Sequence, residues 1–505
     1  MTRKLLLINP VEKAEVNISN VSVLRLPPLC LAYIAALTPS DWDIKIIDEN
    51  IEPFTLESAD LVGLTAMTSN APRAYEIAAS YREKGIKTVM GGIHGSILYD
   101  EAIQFVDSVV IGEAESVWQG LIHDFEDNRL KKFYRGEHTS LEKLVKAGRD
   151  LYSDKYKIKN SVQTARGCPM DCEFCSVTIF NGGKYRQRPV EEVLDELESI
   201  GSRLVYFVDD NILGYGEKAE QRAIQLFRGM KERGLNKRWA SQVGIDFANN
   251  PEVLKHAQKA GCAAVFIGFE SLNEEVLQGM HKIRNLKARV SNYKEIVKRI
   301  HNYGIGVIGA FTFGSDGDKK DIFSRTTEFL LDSKMDAQQL TILTPLPGTR
   351  LYRRLAQEGR LLYTDYPEAW KYYDFTEAVF KPRHMTTDEL KEGVAEIYRH
   401  TTLRAASLKR ALHSLLSTRN PYATIISYVF NRGYGSICMR KYEKWKKAMS
   451  QSPIVAQKRE KEAAGFLVKV TSQQRYLSLI ARLQWSARLR YEDMPPHKSH
   501  TQSSD

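Results

Sequence analysis

Short apolar runs alternate with helical segments in two series along this 505-residue chain, and that alternation narrows the fold more than any other feature. The first series runs KLLLINP (4–10), helical LCLAYIAALT (29–38), DIKIIDEN (43–50), LVGLTAMTS (61–69), helical APRAYEIAASYREKG (71–85), KTVMGG (87–92) and VDSVVIGEAES (106–116). Short runs that stay apolar and are separated by helices are the mark of parallel strands buried on both faces. The pattern predicts an α/β protein whose residues 1–130 form a doubly wound, Rossmann-like sheet with its binding face at the strand carboxyl ends. The second series offers NSVQTARG (160–167), RLVYFVDDN (203–211), RWASQVGID (238–246), AAVFIGFES (263–271), GIGVIGAFTFG (304–314) and AQQLTILTPL (337–346). Six such units over 158–370 predict a partial (β/α)6, TIM-like barrel, again with its site at the carboxyl ends. Residues 131–157 read as a charged connector, 371–450 as a mostly helical region, and 451–505 as a basic, partly disordered tail.

Directly after the first strand of the second series stands RGCPMDCEFCS, which holds Cys168, Cys172 and Cys175. A structural zinc site wants a fourth ligand, usually from a second Cys or His pair. No such pair follows, and Cys30, Cys262 and Cys438 are isolated. Three thiolates without a fourth suit a 4Fe-4S cluster with one iron left open. The loop also falls where a barrel needs its active site.

Composition excludes several classes. Six cysteines in a chain of this length, three of them in one loop, do not make a disulfide framework. No apolar run approaches the roughly 20 residues of a membrane span. The opening MTRKLLLINPVEKAE reads as a first strand, not a signal peptide, so a cytoplasmic location is expected. Net charge is +10, yet residues 401–505 alone carry 19 Lys+Arg against 6 Asp+Glu. The positive charge therefore belongs to the carboxyl-terminal region.

The cysteine loop, with Phe174 before its last cysteine, resembles the radical S-adenosylmethionine (SAM) enzymes. That resemblance implies that the open iron holds the amino and carboxylate groups of SAM. It also implies SAM contacts for Phe174, for Asp209, Asp210 and Asn211 after the second barrel strand, for Gln242 in the third, and for Glu270 ending the fourth. Pro345, Pro347 and Gly348 in TPLPGTRLY shape the last strand's turn. The first domain lacks G-x-G-x-x-G after its first strand, which argues against a nicotinamide cofactor. Through RLPPLCLAYIAAL, GGIHGS and VVIGEAE it resembles instead the cobalamin-binding domain that precedes many radical SAM modules. The contacts so implied are Asn9, Thr65, Thr68, Ser69, Gly91, Gly92, His94, Gly112 and Glu113. The D-x-H-x-x-G motif that supplies a lower cobalt ligand in other cobalamin proteins is absent. For His94 a phosphate, amide or structural contact is expected in preference to cobalt ligation.

Cobalamin domain followed by radical SAM module is the layout of the cobalamin-dependent radical SAM methyltransferases. PLPGTRLY and EAVFKP are similar to the hopanoid methylase group. The implied cofactors are a 4Fe-4S cluster, SAM and cobalamin, and the implied chemistry is methylation of an unactivated carbon begun by a deoxyadenosyl radical. The other readings of this layout are a non-methylating rearrangement or cyclisation and a non-catalytic cobalamin sensor or carrier. A methylthiotransferase of RNA is disfavoured, because residues 1–150 contain only Cys30. Expected partners are a small-molecule or lipid-like substrate and a low-potential electron donor of ferredoxin or flavodoxin type. The basic tail has three open readings, namely peripheral contact with anionic membrane lipid or an amphiphilic substrate, docking of an acidic electron donor, and a solvated helical cap; nucleic acid is not expected.

Overall fold

The computed structural model describes residues 2–11 and 25–451, the last four as backbone only. Residues 1–442 form one compact unit and 443–505 another. The tail expected to be partly disordered lies, apart from its first residue, outside the described residues.

The first sheet comprises β1 (Arg3–Asn9), β2 (Trp42–Asp48), β3 (Leu61–Thr65), β4 (Lys87–Gly91), β5 (Ser108–Ile111) and β6 (Phe133–Arg135). All pairs are parallel, in the order β2-β1-β3-β4-β5-β6. The two-residue period of a strand explains why β1 is apolar without a break. Leu5 and Leu7 face the core that includes the helix Leu29–Leu37, while Leu6 and Ile8 face the one that includes the helix Ala71–Arg82. All four side chains are fully buried, and each contributes roughly 1.5–3 kcal/mol of transfer free energy. The winding direction reverses between β1 and β3, so a crevice opens at their carboxyl ends.

β6 lies in the stretch expected to be a connector. LKKFYRGE has too short an apolar alternation to read as a strand. Its register comes from pairing with β5, and Tyr134 is buried with its hydroxyl donating to Asp124 Oδ2 at 2.9 Å.

The second sheet comprises β7 (Ser161–Val162), β10 (Leu204–Phe207), β11 (Arg238–Val243), β12 (Cys262–Glu270), β13 (Gly306–Phe313) and β14 (Ala337–Ile342). Its order, β14-β13-β12-β11-β10-β7, follows the chain and is parallel throughout, as a partial barrel requires. The single strand expected at 160–167 is broken in two. After β7 the chain leaves the sheet, and β8 (Ala165–Arg166) pairs antiparallel with β9 (Arg186–Gln187). The cause is a tertiary contact: Asp209 Oδ1 accepts from the amides of Thr164 at 2.8 Å and Ala165 at 2.6 Å, which holds the chain away from the sheet.

Three helices follow: Thr387–Thr402, opened by a capping box between Thr386 and Glu389, then Arg404–Thr418 and Pro421–Gln451. The last two meet the barrel just before β13 and β14. Arg410 donates to Met335 O at 2.7 Å, Asn420 to Gly304 O at 2.8 Å, and Ser427 to Asp336 O at 2.6 Å. They therefore close the amino-terminal end of the barrel.

Candidate functional site

The hairpin β8–β9 encloses the cysteine loop. Gly167 starts it at φ +93°, and a Cβ there would lie 2.1 Å from Lys184 O, so only glycine fits. Cys168 N donates to Gly182 O at 3.1 Å, and Thr178 Oγ1 donates to the carbonyls of Cys168 and Met170 at 3.1 and 3.0 Å. The helix Arg350–Gln357 clamps the far side: Arg350 reaches Asp171 and Arg354 reaches Glu173, each at 2.7 Å. All three thiols are half-buried. Burial pushes Cys172 up and carries Cys175 up to about 12.

Among the described residues no three His, Cys, Asp or Glu side chains gather around one ion position. The donors present, three thiols on one loop, suit a cluster that gives each thiolate its own iron. The Tyr215 hydroxyl lies 2.9 Å from Cys168 Sγ, and the Arg284 guanidinium lies 4.7 Å from the centre of the Tyr215 ring. Phe174 is half-buried against the cluster that includes Leu351 and Leu355.

Glu270 ends β12 at φ +64°, beside a register shift against β13. A left-handed glutamate costs of order 1–3 kcal/mol and persists only where its surroundings impose it. Here the surroundings are Lys282, whose Nζ is 2.7 Å from Glu270 Oε1, and Thr312, whose Oγ1 donates to Oε2 at 3.3 Å. Burial alone would lower the Lys282 amino group, but Glu270 and the thiols of Cys172 and Cys175 outweigh it and the net shift is upward. Lys282 also lies 5.8 Å from the centre of the Phe174 ring. A cation thus stands between the cysteine loop and Glu270. Sequence reasoning missed it, because HKIRN carries no spacing signal.

The triplet after β10 divides its work. Asp209 is buried with Oδ2 unpartnered, and burial raises its pKa to about 6. Asn211 differs from its expected role: Nδ2 donates to Gly214 O at 2.8 Å and Oδ1 accepts from Gly244 N at 3.2 Å, so both ends of its amide are used within the barrel. Asp210 faces open space, with Asn181 Nδ2 3.5 Å away. Gln242 is half-buried at the end of β11.

At the carboxyl edge of the first sheet, Asn9 donates to Asp48 Oδ1 at 2.9 Å; Thr65, Ser69, Gly91, Gly92 and Gly112 are half-buried, and Thr68 is buried. Met67 stands 58% exposed at the turn after β3. Solvent reaches Cys30, 3.9 Å from Thr65 Oγ1, yet protein crowds the thiol closely enough to push its pKa up. Cys30 and Met67 both stand at the crevice between β1 and β3. An exposed methionine at the strand ends of a doubly wound sheet suits a partly apolar ligand.

Two residues are turned to partners within the protein. His94 is wholly enclosed, its Nε2 3.0 Å from Tyr75 Oη and 3.2 Å from Glu101, a structural contact of the kind its sequence context allowed. Glu113 is buried and faces the hairpin β8–β9 that encloses the cysteine loop: Arg186 donates to Oε2 at 2.9 Å, and Arg166 Nη1 lies 3.2 Å from the same oxygen. Arg166 also pairs with Glu115 at 2.6 Å. Trp370 Nε1 donates to Glu101 at 3.0 Å, and Gly348, at φ +81°, lies so close to Ile97 that a Cβ would be 3.0 Å from its methyl. The carboxyl edges of the two sheets therefore face each other across the cysteine loop.

Residues 18–122 match the B12 binding domain family and residues 162–330 the radical SAM superfamily. Among curated proteins, the bacteriochlorophyllide d C-12(1)-methyltransferase of Chlorobaculum tepidum is 29% identical over 85% of this chain and 93% of its own. The hopanoid C-2 methylase of Rhodopseudomonas palustris is 28% identical over 68% of this chain and 67% of its own. Among solved structures, the radical SAM methyltransferase TsrM of Kitasatospora setae, with cobalamin and a 4Fe-4S cluster bound, superposes with a TM-score of 0.63 at 16% identity, over 88% of this chain and 100% of that one.

Proposed function

We propose that this chain, whose residues 18–122 match the B12 binding domain and 162–330 the radical SAM superfamily, transfers a methyl group to an unactivated carbon. The observation that supports this reading best is the facing of the two carboxyl edges, fixed by Glu113 with Arg166 and Arg186. Arg166 stands two residues before Cys168 in the sequence, so the same ion pairs that join the domains also set the cysteine loop against the first sheet.

When bound, the cluster and SAM supply a hydrogen-abstracting radical, and cobalamin supplies the methyl group. Cys168, Cys172 and Cys175 hold the cluster. Lys282 would balance the charge of the thiolates, and Glu270, aimed by its strained backbone and anchored by Lys282 and Thr312, would contact SAM. Asp210 offers the free carboxylate for the SAM ammonium, while Asp209 and Asn211 shape the strand ends. Gln242 and Phe174 line the same site. Asn9, Thr65, Ser69, Gly91, Gly92 and Gly112, with Cys30 and Met67, would hold cobalamin at the carboxyl edge of the first sheet, and the enclosed His94 would take no part in holding it.

An extended apolar small molecule, of the kind the relatives' names describe, is the substrate class this reading favours. A low-potential ferredoxin or flavodoxin supplies the electron, and the basic carboxyl-terminal region makes a peripheral membrane contact. Among the described residues no helix is long and apolar enough to cross a membrane.

Anaerobic reconstitution tests the reading. The chain is expected to take up about four iron and four sulfide with one cobalamin, and to cleave SAM under reduction. Cys172→Ala is expected to abolish that cleavage. Stoichiometric zinc without iron charge-transfer absorbance contradicts the proposal.

A further inference from the structure

The helix Arg404–Thr418 is inside out. Its buried residues are Ser407, Arg410, Ala411, Ser414 and Thr418, whereas Leu408, Leu412, Leu415 and Leu416 are 59%, 55%, 43% and 68% exposed. Positions i, i+4, i+7 and i+8 share one stripe of a helix, so these leucines form a single apolar ridge. The neighbouring helix repeats the inversion over its first turns only, since Tyr434, Cys438 and Met439 farther along pack against the barrel core. It buries Ala423, Ser427 and Asn431 while Ile425 stays 57% and Tyr428 39% exposed. A hydrophobic core does not produce the leucine ridge, because its pull is toward the barrel, where the helix Arg404–Thr418 instead puts Ser407, Ser414, Thr418 and Arg410 with the single small apolar Ala411. An apolar surface rimmed by polar groups marks a contact site.

Charge identifies the occupant. Residues 401–442 contain seven Lys or Arg and no Asp or Glu. Arg404, Lys409 and Arg419 are exposed on the helix or at its end, and Lys334, also exposed, is close enough to help depress the pKa of His413, which burial lowers first. A second copy of the chain on this face would set like charges against each other in a two-fold contact. We propose that the helix Arg404–Thr418 lies in the interface of an anionic lipid membrane, its leucines among the acyl chains and its basic residues at the headgroups. This goes beyond the charge of the tail, since the anchor is an apolar ridge within the folded unit. It is also independent of the cofactor chemistry. The helix sits at the amino-terminal end of the barrel, opposite the cysteine loop, so the anchored protein keeps its site open.

The test is flotation of the full chain with vesicles of phosphatidylglycerol and phosphatidylcholine, against phosphatidylcholine alone. Binding to the anionic vesicles is expected at low salt and is expected to weaken as salt rises. The double variant Leu412→Glu, Leu416→Glu is expected to lose about tenfold or more of that binding, with reductive SAM cleavage and far-ultraviolet circular dichroism unchanged. Because both side chains are exposed, loss of folding is not expected, and the dichroism separates that outcome. Equal vesicle binding by wild type and variant overturns the proposal, as does a wild type that ignores anionic vesicles at low salt. A wild-type dimer that the variant dissociates, without vesicle binding, assigns the ridge to copies of the chain and likewise overturns it.

Discussion

Tyr215 shows how a single side chain outside the cysteine motif reaches its chemistry. Its hydroxyl lies 2.9 Å from Cys168 Sγ, while burial and the neighbouring thiol push its pKa far up, so it stays protonated and can donate to a thiolate. The ring is held edge-on by Tyr185 and covered by Arg284, itself paired with Asp246 at 2.5 Å. Hydrogen bonds to cluster sulfurs stabilise the reduced, more negative state. Tyr215→Phe is therefore expected to lower the midpoint potential of the reconstituted cluster by tens of millivolts, since a tenfold change in a one-electron equilibrium is about 59 mV. Potentiometric titration followed by electron paramagnetic resonance measures it; an unchanged potential would remove Tyr215 from the cluster's surroundings. The three cysteines were legible because ligand spacing on one loop is local. Tyr215, Lys282 and Thr312 come from separate loops and strands, and nothing in their own sequence context announces that the barrel brings them together.

At the scale of elements, alternation of apolar runs and helices was enough to read both parallel sheets, since burial on two faces writes itself into each strand. Elements held by tertiary contacts were not legible: β6 depends on β5, and the break between β7 and β8 depends on a carboxylate some 40 residues away in sequence. The inverted helix Arg404–Thr418 read only as charge, because the direction of its faces is set by what it packs on. The loop after β13 carries another tertiary effect. Asp318 is buried, with Oδ2 accepting from Gly314 N at 2.9 Å and Ser315 N at 3.0 Å, and burial raises its pKa to about 7. Between the ordinary carboxylate value and 7 the folded chain keeps a proton that the unfolded chain has lost. Stability therefore falls as pH rises from about 4 to 7, and the penalty is complete above 7. Asp318→Asn keeps an acceptor for both amides and removes the charge. Its unfolding free energy, read from denaturant melts, is expected to fall less than that of wild type between pH 5 and pH 8, by an amount on the order of 1–3 kcal/mol. Parallel curves would show that Asp318 is ionised in the folded state at both pH values.

For the whole molecule, the decisive feature is that two sheets with separate cores turn their carboxyl edges toward each other. The cysteine loop and Glu270 stand on one edge, and Cys30 and Met67 on the other. Buried pairs such as Glu113 with Arg186 hold that arrangement at an energetic cost of desolvation that two apolar residues would not carry. Their directionality fixes one orientation of the edges, which apolar packing alone would leave loose. The organisation into a B12-binding domain and a radical SAM domain was readable from the sequence. The junction was not, because Glu113 resembled one more turn residue at a strand end. The most direct measurement of the central claim uses SAM labelled in its methyl group. Reconstituted enzyme, a low-potential reductant and an extract of the host are incubated with and without added cobalamin. The expected result is 5′-deoxyadenosine and S-adenosylhomocysteine together, with label in an apolar product that forms only when cobalamin is present. Cobalamin-dependent formation of 5′-deoxyadenosine with no labelled product and no S-adenosylhomocysteine would contradict it.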